Sequence, residues 1–291
     1  MKFLIITAQV ILLILAAPLV SGIISKIKNN IRMRRGPGIL QPYYNLAKLF
    51  GKAEVVSENR SWIFTITPYV VFTSCALALF LLPVSGAANP FNYMGELLAI
   101  IFLMALGRFF LALAGLDTAS AFGGMGSSRE MFISSLVEPV ILTAIFAVCA
   151  NFASTNPAVI YSHHSIRFSS IVAGVSLIMA VLAETSRVPV DNQETHLELT
   201  MIHEAMVLEY SGRSLALIEL ASQIKQMVFF VILANVVFPV WGLAVKVLII
   251  SVMAALIEVS VAKMRLFRAV DFLSFAFVLA MAALVISAVG L

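Results

Sequence analysis

Between Ala183 and Gly212 the chain reads AETSRVPVDNQETHLELTMIHEAMVLEYSG, gathering Glu184, Asp191, Glu194, Glu198, Glu204 and Glu209 with His196, His203 and Arg187. Carboxylates that are crowded or partly desolvated keep their protons to higher pH, which suits proton uptake and relay near neutrality. A solvated loop with ordinary charges is the plainer alternative. Other chemistries fit less well. His203-Glu204 opens like a zinc-protease motif, but Val207 stands where its second histidine belongs. No nucleophile, base and orienting group stand together, so no catalytic residue is assigned. The histidines and acids are metal-ligand types as well, but no spacing singles out a site, and none is assigned.

Charged residues also interrupt otherwise apolar runs. Arg108 lies deep in LMALGRFFLALAGLD, and a mid-span arginine must face the interior and find a carboxylate. Glu138 precedes Pro139, which predicts a kink or a break. Glu219 and Lys225 share one apolar run, six residues apart and so on different helix faces, and Glu258 lies in the next run. The candidate coupling set is Glu138, Glu184, Asp191, Glu194, Glu198, Glu204, Glu209, Glu219, Lys225, His196, His203 and Arg108.

These groups sit in a chain that is 61% hydrophobic and only 12% charged over 291 residues, with mean hydropathy +1.03. Soluble domains carry about 25% charged residues, so the sequence describes an integral membrane protein. With a net charge of +4 and no basic face interleaved with aromatics, nucleic-acid binding is not indicated. Cys75 and Cys149 both fall in apolar runs, without metal or cluster spacing.

A span needs roughly 20 apolar residues. Eight stretches qualify: about 3–25, 62–84, 95–116, 131–154, 167–185, 214–239, 241–263 and 270–290. The expected fold is all-α and polytopic, one membrane domain over 1–291. Lys and Arg concentrate in the connections at about 26–61, 117–130, 186–213 and 264–269, which predicts these as cytoplasmic and both termini as outside. The first connection holds RRGPGILQPYYNLAKLF. Its Gly36-Pro37-Gly38 breaks the chain, and apolar residues at helical spacing follow, predicting an amphipathic helix at the membrane surface. The stretch DTASAFGGMGSSRE reads as a loop whose small residues allow close packing.

Several of these pieces, in order, carry a family resemblance: RRGPGILQPYYNLAKLF, ALGRFFLALAGLDTASAFGGMG, SREMFISSLVEP, AETSRVPVD and LEYSG. The chain resembles the membrane subunit (the H subunit, or subunit 1) that respiratory complex I shares with group 4 energy-converting [NiFe] hydrogenases. The run THLELTMIHEAMVLEYSG looks like the hydrogenase branch, including the formate hydrogenlyase and hydrogenase-4 types.

The resemblance implies a non-catalytic subunit in a prokaryotic cytoplasmic membrane. It would anchor a redox arm and link it to antiporter-like subunits that move H⁺ or Na⁺. Partners would be hydrogenase-like large and small subunits and a ferredoxin-like subunit. These would hold the [NiFe] centre and iron–sulfur clusters, with no cofactor in this chain. Arg34, Arg35, Gly36, Pro37, Arg129 and Arg187 match positions beneath the arm. The alternative is the H subunit of a quinone-reducing, complex I-like dehydrogenase, framing the quinone cavity. A self-sufficient transporter would show internal repeats, and none is evident.

Overall fold

The computed structural model describes residues 2–56, 60–82, 97–162, 167–191, 201–238 and 242–290. Glu194, His196 and Glu198 lie outside them, as do the whole of the 192–200 connection and the start of the third expected span. Among the described residues the secondary structure is helical throughout. The helices are α1 (Lys2–Ile31), α2 (Gln41–Phe50), α3 (Trp62–Leu81), α4 (Leu97–Asp117), α5 (Ala121–Phe152), α6 (Pro157–Ser162), α7 (Phe168–Glu184), α8 (His203–Val207), α9 (Gly212–Val237), α10 (Leu243–Ser260) and α11 (Leu266–Val289).

Seven of these are long and apolar enough to cross a bilayer: α1, α3, α4, α5, α9, α10 and α11. The apolar α7 adds an eighth at 17 residues. At 1.5 Å per residue it reaches about 25 Å, the short end of a spanning helix. The all-α polytopic reading therefore holds, with one helix for each expected span.

The centre of the bundle is α9. Its run Val228–Ala234 is buried on every side, the mark of a helix surrounded by others rather than by lipid. It packs against α1, α3, α7 and α10, while α5 and α11 close the far side against α7. The amphipathic α2 forms as expected. Leu46 is buried beneath it, Tyr44 and Lys48 are exposed, and the Tyr43 hydroxyl donates to the Leu15 carbonyl of α1.

Two boundaries differ from expectation. The first span continues to Ile31, so Lys26 and Lys28 belong to α1 rather than to a loop. The stretch 121–130 is not a loop but the first turns of α5, which also runs through Pro139 without breaking. Tertiary contact overrides weak helix propensity here. Gly126 lies so close to α8 that a Cβ would meet the Ala205 methyl at 2.9 Å and the Ile202 carbonyl at 3.0 Å. Ser120 caps the helix by accepting from the Gly123 amide.

The start of α9 is pinned to the segment after α2. The Ser211 hydroxyl accepts from the Val55 amide and donates to its carbonyl, and Glu54 accepts from the Ser214 amide and hydroxyl. Gly212 permits this, with φ of +53° and a Cβ position only 2.9 Å from the Ala53 carbonyl. Gly212→Ala should therefore cost ~1–3 kcal/mol in detergent unfolding. Gly124→Ala, with nothing within 4 Å of its Cβ position, should cost nothing.

Candidate functional site

Four helices meet near the loop-rich end of the bundle, and their charges meet with them. Arg108 projects from α4 with 5% of its side chain exposed. Its guanidinium reaches Glu184, the last residue of α7, at 2.7 Å and Glu138 of α5 at 3.1 Å. Lys225 of α9 approaches the other Glu184 oxygen at 3.1 Å. The result is a chain of alternating sign, Glu138–Arg108–Glu184–Lys225. Isolated, each charge would cost ~2.5–3.5 kcal/mol at the centre of a span, and pairing offsets that cost. Glu138 is the outlying member, 41% exposed on the outer face of α5.

A second group lies toward α1 and α10. Glu258 of α10 pairs with Lys28 of α1 at 2.5 Å and closely with Arg187, which donates to the Gln226 side-chain oxygen of α9 at 2.8 Å. A third is centred on Asp191, 2% exposed. One of its oxygens pairs with Lys263 at 3.1 Å, and the other accepts from the Ile202 and His203 amides at 3.2 and 3.3 Å. Asp191 thereby caps the entry to α8 and ties it to the connection between α10 and α11.

Between the first two groups lies a cavity of about 100 Å³, bordered by Arg108, Glu130, Glu184, His203, Lys225 and Gln226. Several buried polar atoms bordering it lack hydrogen-bond partners: Arg108 Nε, Gln223 Oε1, Gln226 Nε2 and, beyond their ion pairs, both Glu184 oxygens. Buried polar atoms need partners, and a polar cavity of this size suits several waters. His203 enters from α8. Burial pushes its imidazole below the ordinary histidine range, with Lys225 acting the same way and Glu204 and Asp191 opposing.

The structure thus brings together Arg108, Glu138, Glu184 and Lys225, and places His203 on the same cavity. Glu219 lies at the cavity border with its side chain largely exposed, Glu204 is half-buried, and Glu209 is at the surface. Arg34, Arg35 and Pro37 are exposed, Gly36 rests against Asn29, and Arg129 is half-buried at the start of α5. Arg187 does not join an exposed basic surface, because Glu258 and Gln226 hold its guanidinium inside. Glu130, Glu258, Lys28 and Gln226 are site residues that the sequence reading does not include. Glu130 gives no periodic signal with Glu138: eight residues make two turns and roughly 80° more, so the two acids leave α5 in different directions.

Buried alternating charges at one end of an all-α bundle define a polytopic membrane protein built to keep ionisable groups inside it. The chain belongs to the NADH dehydrogenase family, whose sequence profile matches residues 3–288. It is 32% identical to hydrogenase-4 component C of Escherichia coli (strain K12) over 278 residues, covering 89% of this chain and 87% of that one. Formate hydrogenlyase subunit 4 of the same strain is also 32% identical, over 279 residues, with 89% and 90% covered. The H subunit of NADH-quinone oxidoreductase from Paraburkholderia phymatum is 26% identical over 222 residues, with 70% and 61% covered. In the solved structure of the membrane-bound sulfane sulfur reductase, an archaeal respiratory membrane complex, one chain superposes with TM-score 0.86 at 17% identity. The overlap spans 98% of this chain and 99% of that one, and shows the same fold. These relatives are components of oxidoreductase complexes, which fits a membrane subunit of such a complex.

Removing Arg108 would leave two carboxylates without their shared cation. Arg108→Met should cost ~3–5 kcal/mol in detergent unfolding, and adding Glu184→Gln should recover part of it. His203 gives a pH dependence. Its folded-state proton affinity is depressed, so the unfolded chain binds the proton first as pH falls below about 6.5. Stability should therefore decline across that acid window, and His203→Gln should flatten the decline.

Proposed function

We propose that this chain anchors the redox arm of a group 4 hydrogenase or related complex and couples electron transfer to H⁺ or Na⁺ movement. The observation that carries the reading is the ion-paired series Glu138–Arg108–Glu184–Lys225, buried at Arg108 and Glu184, beside a polar cavity of about 100 Å³. In such a chain each acid lies against a neighbouring cation. A change of charge or position at one end alters the proton affinity of the next group, so a disturbance passes along it without any cofactor in this chain.

The disturbance would enter where the loops gather. Asp191 ties α8 to the α10–α11 connection, and Arg187 ties the same loop to α9 and α10. A redox arm resting on exposed Arg34 and Arg35 and on the acidic connection would press on these contacts. The arm's hydrogenase-like and ferredoxin-like subunits would carry the [NiFe] centre and iron–sulfur clusters, since both cysteines here are buried separately in α3 and α5. Antiporter-like membrane subunits would receive the change at the half-exposed Glu138. The basic loop-rich end would face the cytoplasm of a prokaryotic cell, with both termini outside.

A quinone-reducing complex is the second reading, supported by the relationship to the H subunit of NADH-quinone oxidoreductase. The cavity argues against it. At about 100 Å³ it falls short of the ~300–1,000 Å³ typical of small-molecule sites, so it suits water rather than a quinone ring.

The test is the purified complex in proteoliposomes. Glu184→Gln should lower ion movement per electron while turnover with an artificial donor persists. Equal ion movement in mutant and wild type would remove Glu184 from the mechanism. Nickel with iron, and hydrogen evolution, would establish the hydrogenase arm, whereas quinone-dependent turnover without nickel would establish the second reading.

A further inference from the structure

Glu130 differs from the other buried acids around the cavity. It is 9% exposed, on the α5 face that carries Gly126 one turn earlier against α8. Among the described residues no hydrogen bond or ion pair reaches its carboxyl. Glu184 has Arg108 and Lys225, Glu138 has Arg108, Glu258 has Lys28 and Arg187, and Asp191 has Lys263. Its side chain borders the same cavity as the unpartnered Gln223 Oε1 and Gln226 Nε2.

Arg108 and Lys225 are balanced by Glu138 and Glu184, so an ionised Glu130 would add an unanswered negative charge beside Glu184. The remaining surplus positive charge, in the Lys28–Glu258–Arg187 group, is held against Glu258 and Gln226. The other titratable groups facing the cavity do not supply a cation. Cys75 of α3 is a neutral thiol donor, His203 of α8 is disfavoured as a cation, and Glu219 of α9 is another acid. Leaving a buried carboxylate uncompensated is strongly unfavourable, whereas a neutral carboxylic acid needs only a hydrogen-bond acceptor, a role that water in a polar cavity can fill.

We propose that Glu130 is an exchangeable proton-binding site, protonated at rest, that delivers its proton across the cavity to the Glu184–Arg108–Lys225 group. This rests on the coupling reading above and names the group in it that carries the mobile proton. The step is a plain transfer: the Glu130 acid loses its proton to cavity water, water passes one on to the Glu184 carboxylate, and Glu130 is left ionised. Arg108 and Lys225, freed from a neutralised Glu184, then offset the new charge on Glu130. Release of the Glu184 proton onward and uptake of a new proton at Glu130 together reset the site.

Infrared difference spectroscopy of the purified complex reads this directly. A carboxylic-acid C=O band that shifts in ²H₂O should be present at neutral pH, vanish in Glu130→Gln, move in Glu130→Asp and persist in Glu138→Gln. If the Gln variant does not assemble, the Asp variant decides alone, because its band must move. An unchanged band in either variant overturns the site, and loss of the wild-type band on adding Na⁺ overturns its assignment to the proton. Ion movement separates this proposal from the wider one. Glu130→Gln should lose coupled ion movement while keeping artificial-donor turnover. Normal ion movement with the band gone would overturn the delivery step and leave the role of Glu184 standing.

Discussion

A guanidinium in the middle of an apolar helix is the constraint from which much of this structure follows. Arg108 cannot face lipid at tolerable cost, so α4 must turn it inward and other helices must bring carboxylates to it. Glu184 can do so only if α7 ends beside α4, and Glu138 only if α5 packs along both. Glu184 then carries a second cation, Lys225, which draws the central helix α9 into the same arrangement. Four helices are thereby fixed relative to one another by three contacts. In a bilayer, where apolar burial between helices supplies little net drive, such polar contacts and close packing set the geometry.

Close packing does the rest at the loop-rich end. Gly126 admits α8 against α5, and Gly212 admits the 53–56 segment against α9. Tyr210, just before α9, stacks on Phe64 of α3 with ring centroids 3.9 Å apart and donates from its hydroxyl to the Phe64 carbonyl at 2.9 Å. The charged groups are thus enclosed by rigid elements, while Asp191 and Arg187 link them to the connecting loop. An internal charge system tied to a connecting loop at one end is what the proposed coupling would use.

Much of this is legible in the sequence. Apolar length gives the eight helices, because every span must satisfy its own backbone hydrogen bonds. The cost of an intramembrane charge gives the inward turn of Arg108 and its pairing with carboxylates. The Gly-rich 121–130 stretch reads as a loop and folds as a helix, since local propensity says nothing about the neighbouring helix that rewards small residues there. Glu130 escapes notice for the same reason, because an acid in a supposed loop carries no burial cost that would mark it. The resemblance puts Arg187 beneath the arm, whereas its pairing with Glu258, 71 residues away, is a tertiary fact that no local pattern shows. Lys28 falls to solvent in the sequence reading for want of two further turns of α1.

The central claim is that reduction of the arm changes cation binding inside this chain. It is tested most directly by measuring protons or sodium ions taken up when the purified wild-type complex is reduced with a low-potential donor. The same reduction of the arm freed from its membrane part is the comparison. Uptake that is present in the whole complex and lost from the isolated arm is the predicted result. Equal uptake by both would place the coupled groups in the arm and contradict the account.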